Sequence, residues 1–188
     1  MRSLFASCAD AGGVETGGGL THSSEHHAAI EEGQRLRGWI ANAYAQIEFF
    51  LGDVIVRGLA MPEYMEMSRM LPHGSPDRIK RVRRMLECNG FFSEYRDDLS
   101  AILDEFEDHH ETRNLLAHGF CEFLYTDDGD CGLQFRKWHR MPERQDAQLI
   151  RTFRLVDLEY EKTIIIELSK RALILFFRIH DRLGLVGK

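Results

Sequence analysis

The sequence has no long apolar run. Its longest uninterrupted one, Ala172 to Phe177, is six residues, against the ~20 that a membrane-spanning helix needs. A spanning helix is therefore excluded and no membrane partner is expected. Cysteine is scarce: Cys8, Cys88, Cys121 and Cys131 show no Cys-x-x-Cys spacing and no zinc-ribbon pairing, so neither a structural metal nor a cofactor is expected. With Arg2 and a short apolar stretch ahead of Cys8, the N-terminus does not have the form of a secretory signal. Reduced thiols in the cytoplasm are the expectation. Positive charge is also lacking. The net charge is −6, so no global basic field draws the chain onto nucleic acid, and any such contact must come from local patches.

What is present is an ordinary globular composition. The 188 residues, 44% hydrophobic and 29% charged, suit one domain able to bury a core without disulfides. Residues 1–28 read as a flexible tail, because Gly12-Gly13 and Gly17-Gly18-Gly19 lie among Ser and Thr with no apolar periodicity. His22, His26 and His27 fall at its end, where no scaffold would fix them as metal ligands. The domain proper is expected over 29–188.

Four main helices are predicted. Leu36, Ile40, Ala43, Ile47, Phe50, Leu51, Val54 and Ile55 keep helical spacing from about Glu31 to Ala60, stopped at Pro62. A short helical turn follows over 63–70. Ser75-Pro76-Asp77 reads as the start of a second helix, with Ser75 as N-cap, and Asn89-Gly90 as its end. One long third helix is predicted from about Ser93 to Ala117, with Gly119 as its C-cap. Beyond it the aromatic-rich Phe120–Tyr125 and Leu133–Trp138 flank Asp127–Asp130, a hairpin signal. A third short strand is predicted at Thr152–Val156, and Asp157 is positioned to cap the last helix, striped by Leu158, Ile165, Leu168, Ala172, Leu175 and Ile179. The fold class is mainly α, a bundle of four main helices with a small hairpin or sheet between the third and fourth.

The third helix carries the chemistry. With Leu99 as reference, its apolar stripe of Ile102, Leu103 and Phe106 continues as His110, Arg113, Asn114 and Ala117, all within about 60°, with His118 at about 100°. An inward face thus turns polar and cationic as the helix ends. An Arg directed into a core needs an anion or a cavity, and Glu48 and Asp53 are candidate partners for Arg113 on the first helix. Asp108-His-His-Glu111, the one other metal-like run, spreads its side chains around the helix and cannot converge on an ion.

Arg113-Asn-Leu-Leu-Ala-His118 resembles the Arg-x4-6-His motif of the HEPN family. The resemblance extends loosely over residues 31–185, although its specific part is this short segment. It implies metal-independent RNA cleavage by a homodimer, with Arg113, Asn114 and His118 as catalytic residues and His110 in support. It also implies a toxin or phage-defence role, with RNA as substrate and a cognate antitoxin as partner. The chemistry stands on its own terms. Imidazole titrates near neutrality and transfers protons, and a guanidinium offers a permanent charged fork to phosphate oxygens.

Arg78, Lys80, Arg81, Arg83 and Arg84 concentrate five cations in one helix as an RNA-contact surface. Acids from Asp97 to Asp108 are near enough in sequence pattern to neutralise them. Arg136, Lys137, Arg140 and Arg144, interleaved with Trp138 and His139, offer a stacking edge. The alternative function is a non-catalytic dimeric regulator or nucleotide-binding module, since mannitol-repressor-like regulators are similar in the same helix.

Overall fold

The computed structural model describes residues 2–3, 24–125, 131–139 and 147–185. The expectations for residues 4–23, for the turn at 127–130, and for Arg140 and Arg144 lie outside the described residues. The chain is mainly helical with a small antiparallel sheet. Among the described residues no helix is long and apolar enough to cross a membrane. The helices are α1 (Ser24–Gly58), α2 (Ser75–Glu87), α3 (Arg96–Asp108), α4 (His110–His118) and α5 (Leu155–Arg182). The strands are β1 (Arg2–Ser3), β2 (Phe120–Tyr125), β3 (Cys131–His139) and β4 (Ala147–Arg154). The chain divides into two compact units, Met1–Trp39 with Asn114–Lys162, and Ile40–Arg113 with Thr163–Lys188.

The first unit is built on the sheet, whose order is β1-β2-β3-β4 with antiparallel neighbours. Phe123, Leu133 and Phe153 pair across three strands, as do Cys121, Phe135 and Arg151. Strand alternation sends this set to one face, where Leu133, Phe135 and Phe153 are buried together with Leu36, Leu115, Leu116 and Leu158. Arg37 completes that face. Its guanidinium lies 5.3 Å from the Phe135 ring centroid and its Nε donates to the Leu116 carbonyl at 2.8 Å.

The second unit is helical. Its core includes Ile40, Ile47, Leu51, Ile55, Ile79, Val82, Leu99, Leu103, Phe106, Leu168 and Leu175, the residues that keep the apolar stripes of their helices. Tyr64, in a single 3-10 turn at Pro62–Tyr64, is fully buried. Its hydroxyl oxygen accepts the Phe92 N–H at 3.0 Å. The helical turn expected over 63–70 extends no further than this, and the chain then runs irregularly to Gly74.

Four local expectations are corrected. The first helix begins at Ser24, seven residues before Glu31 and inside the predicted tail. The third helix is interrupted at His109 (φ −91°, ψ 2°) and resumes as α4. The His109 carbonyl serves both sides of this break, accepting the Arg113 N–H at 3.0 Å and the Tyr44 hydroxyl at 3.3 Å. Ser75 is the first residue of α2 and not its cap: Gly74 occupies that position, and the buried Ser75 hydroxyl turns to Glu48. The strand predicted at Thr152–Val156 lies earlier, at Ala147–Arg154, so Asp157 falls inside the first turn of α5. There its carboxylate accepts the Arg154 N–H at 2.9 Å, which is half of a capping box.

Candidate functional site

Helix α4 carries the motif, and the break before it resets the rotational phase. The inward residues of α4 are Thr112, Leu115 and Leu116. His110, Arg113 and Asn114 are half-buried, and Ala117 and His118 are exposed. The stripe drawn through His110, Arg113, Asn114 and Ala117 as a continuation of Leu99 therefore does not hold, because it assumed an unbroken helix. Five residues of helix also set Arg113 and His118 about 140° apart around the α4 axis.

In the helical unit, Arg113 meets the acid anticipated for it. Its Nη2 lies 2.5 Å from Oε1 of Glu48, with each side chain 18% exposed. The same carboxylate oxygen accepts a short hydrogen bond from the Ser75 hydroxyl. Arg78 joins α2 to this point, its Nη1 donating to the Glu48 carbonyl at 3.2 Å and its Nε to the Pro72 carbonyl at 2.9 Å. Glu48 is thus the hub of α1, α2 and the start of α4. Asp53, the other candidate, is committed elsewhere: Arg57 Nε lies 2.6 Å and His180 Nε2 2.8 Å from its Oδ2. The apolar groove beside that cluster, about 320 Å³ and lined by Phe49, Phe50, Leu173 and Phe176, carries no charged group.

In the sheet unit, His118 ends α4 exposed to solvent. Gly119 closes the helix with its N–H on the Leu115 carbonyl at 2.8 Å. Its backbone is not left-handed, since the sole positive φ among the described residues is at Gly184, so the cap predicted for Gly119 does not form. Glycine is needed there for a different reason: a Cβ would stand 2.5 Å from the Leu115 carbonyl oxygen and 3.3 Å from Phe135 Cβ. Cys121 follows as a reduced thiol. Burial pushes its pKa up, ahead of the smaller influence of Arg37, so it is a poor nucleophile at neutral pH.

The five cations of α2 separate into two groups. Arg78 braces the Glu48 hub, and Arg83 bridges Asp104 at 2.7 Å and Glu107 at 2.9 Å on α3. Those two acids also hold the Arg83 guanidinium more firmly protonated than usual, through the Asp104 hydrogen bond first. Arg81 donates to the Ser68 carbonyl. Lys80 and Arg84 are at the surface and with His73 and Arg81 line a groove of about 460 Å³ beside the 68–74 loop. In the sheet, strand alternation sends Arg136 and Trp138 to one face and Lys137 to the other.

Sequence reasoning missed three contributors. Ser75 was masked by its resemblance to an N-cap. Glu122 and Phe120 were read as strand residues only, although their alternation with Cys121 places both on the sheet face opposite Phe135, with Arg136 and Trp138, where Glu122 is buried and Phe120 exposed.

These features define a mainly helical protein with a small antiparallel sheet. The chain matches no family description, no curated protein and no solved structure.

Proposed function

We propose that the chain is a metal-independent endoribonuclease of HEPN type, acting as a toxin or defence effector in the cytoplasm. The observation that carries the reading is the α4 terminus. His118 is exposed in the last turn, while Arg113, one turn and a half earlier, is fixed by a carboxylate that is itself held by Ser75. A positioned cation on the same short helix as an accessible imidazole is what phosphodiester chemistry uses.

The 140° divergence of the two side chains within one helix favours a site completed by two copies. The bundle arrangement implied by the resemblance would treat α3 and α4 as one interrupted element of four, pairing across a two-fold axis. The 2′-hydroxyl oxygen attacks the adjacent phosphorus and its proton passes to the neutral His118 of one copy. The bond from phosphorus to the 5′-oxygen breaks, and that oxygen takes a proton from the imidazolium of the second copy. Arg113 balances charge on the non-bridging oxygens, and Asn114 orients the pair. The products are a 2′,3′-cyclic phosphate and a 5′-hydroxyl, with no metal in the cycle. Lys80, Arg81 and Arg84 supply the backbone contacts. A cognate antitoxin would bind this same dimer.

The ion pair of Arg113 with Glu48 favours a second reading, a non-catalytic dimeric regulator or nucleotide-binding module in which Arg113 serves the fold alone. Cleavage of single-stranded RNA in EDTA separates the two. The ribonuclease reading expects wild-type cleavage, reduced about a hundredfold or more in His118→Ala with unchanged circular dichroism. Cleavage that vanishes in EDTA, or that persists in His118→Ala, would overturn it.

A further inference from the structure

Resting on the RNA reading above, we propose that the outward face of the sheet is a stacking platform for the unpaired bases of single-stranded RNA. Phe120, Arg136 and Ile150 stand in one cross-strand row. Trp138 and Gln148 form the next row, and Glu122, Gln134 and Thr152 the row on the other side. Directly paired residues point to the same side of a sheet, so all eight share the face opposite the Leu133–Phe135 core.

On that face Phe120 is 53%, Trp138 69% and Ile150 50% exposed. Together with Arg136 they form one contiguous patch rather than scattered exposed residues, the kind of surface that marks an interaction site. Arg136 lies between them and is pinned at two atoms, its Nε donating to Gln134 Oε1 at 3.0 Å and its Nη2 paired with Glu122. Gln134 Nε2 passes the network to the Thr152 hydroxyl at 3.2 Å. Glu122 is 6% exposed, so the charge of Arg136 is balanced locally while the Arg136 side chain as a whole stays 36% exposed.

That chemistry selects the occupant. This patch sets a fixed guanidinium and two amide side chains, Gln134 and Gln148, among its aromatics. Unpaired bases require such a mixture, with rings and guanidinium planes to stack on and amides to meet their edges. Phe120 and Trp138 are diagonal neighbours, about 7–8 Å apart, enough to take one base each. Location agrees with this. Phe120 is two residues beyond His118, so a strand laid on the platform leads directly to the helix end that carries the proposed proton-transfer group. Because Glu122 neutralises Arg136, the platform contributes stacking and little phosphate attraction.

The test uses the full chain as Trp39→Phe with His118→Ala, which leaves Trp138 as its tryptophan and RNA intact. A ten-nucleotide single strand of mixed sequence should quench Trp138 emission, and the same strand annealed to its complement should not. Phe120→Ala, followed by fluorescence anisotropy of labelled RNA, should weaken binding about five- to a hundredfold. It should leave the slope of log K against log salt unchanged. Trp138→Ala should behave as Phe120→Ala does. Equal quenching by the duplex, no binding of the single strand, or undiminished affinity in both aromatic variants would overturn the platform. So would a loss of self-association in those variants with RNA affinity intact, which would make the face a protein interface. Failure of the ribonuclease reading shows separately, as wild-type protein that binds and quenches but does not cleave.

Discussion

Glu48 is the residue on which several elements depend. It sits in α1, receives the Ser75 hydroxyl from α2 and pairs with Arg113 at the start of α4. Removing one partner of a half-buried pair leaves the other desolvated without compensation, which costs more than the pair itself contributes. Arg113→Ala should therefore lower unfolding stability by about 2 kcal/mol in urea. Adding Glu48→Gln should recover part of that loss, because the stranded charge is removed with it. A single-variant loss within about 0.5 kcal/mol, the range of a plain surface change, would show that the pair does not hold the fold. Half of this arrangement was legible beforehand: an Arg at core spacing demands an acid, and Glu48 was one of two within reach. Ser75 was not, because Ser before Pro reads as a helix cap until a carboxylate outcompetes the backbone for its hydroxyl.

At the scale of elements, the junction between β4 and α5 is set by local hydrogen bonding. Asp157 accepts the Arg154 N–H and pairs with the Arg154 guanidinium. The guanidinium first, and the backbone N–H second, hold the Asp157 carboxyl below its usual range. A depressed carboxylate stabilises the folded state above its unfolded pKa and loses that contribution as pH falls through the folded value. Asp157→Asn should thus cost about 1 kcal/mol at neutral pH, as losing a cap does, lowering Tm by about 2–4 °C. The gap between variant and wild type should close as pH drops below about 4, followed by thermal melts across pH. A gap that stays constant with pH would show that the charge of Asp157 is not what caps α5. The break at His109 belongs to the same scale. No Pro or Gly marks it, and the apolar spacing on either side reads as one helix. At the break the His109 carbonyl takes the Tyr44 hydroxyl, a contact 65 residues distant in sequence, while keeping the Arg113 N–H.

At the scale of the whole molecule, the proposed chemistry makes a claim about assembly. One copy offers a single imidazole in the motif, whereas acid and base acting together need two. The expected state is a two-fold symmetric dimer, and light scattering at tens of micromolar should return twice 21.8 kDa. A mass of one chain would remove the composite site and leave the regulator reading to be tested as a monomer.

The sequence by itself determined the helical class, the apolar stripes of α1, α2 and α5, the antiparallel pairing of β2 with β3, and the Arg113–His118 spacing. Each is written in short-range periodicity or in turn chemistry, which act over a few residues whatever surrounds them. Tertiary structure alone decided which side of α4 faces inward, which cations of α2 remain available, and that Phe120, Arg136 and Trp138 share a face. Those outcomes depend on the helix break at His109, on acids contributed by α3 and on strand register. Such contacts join residues far apart in the chain, where no local pattern records the partner.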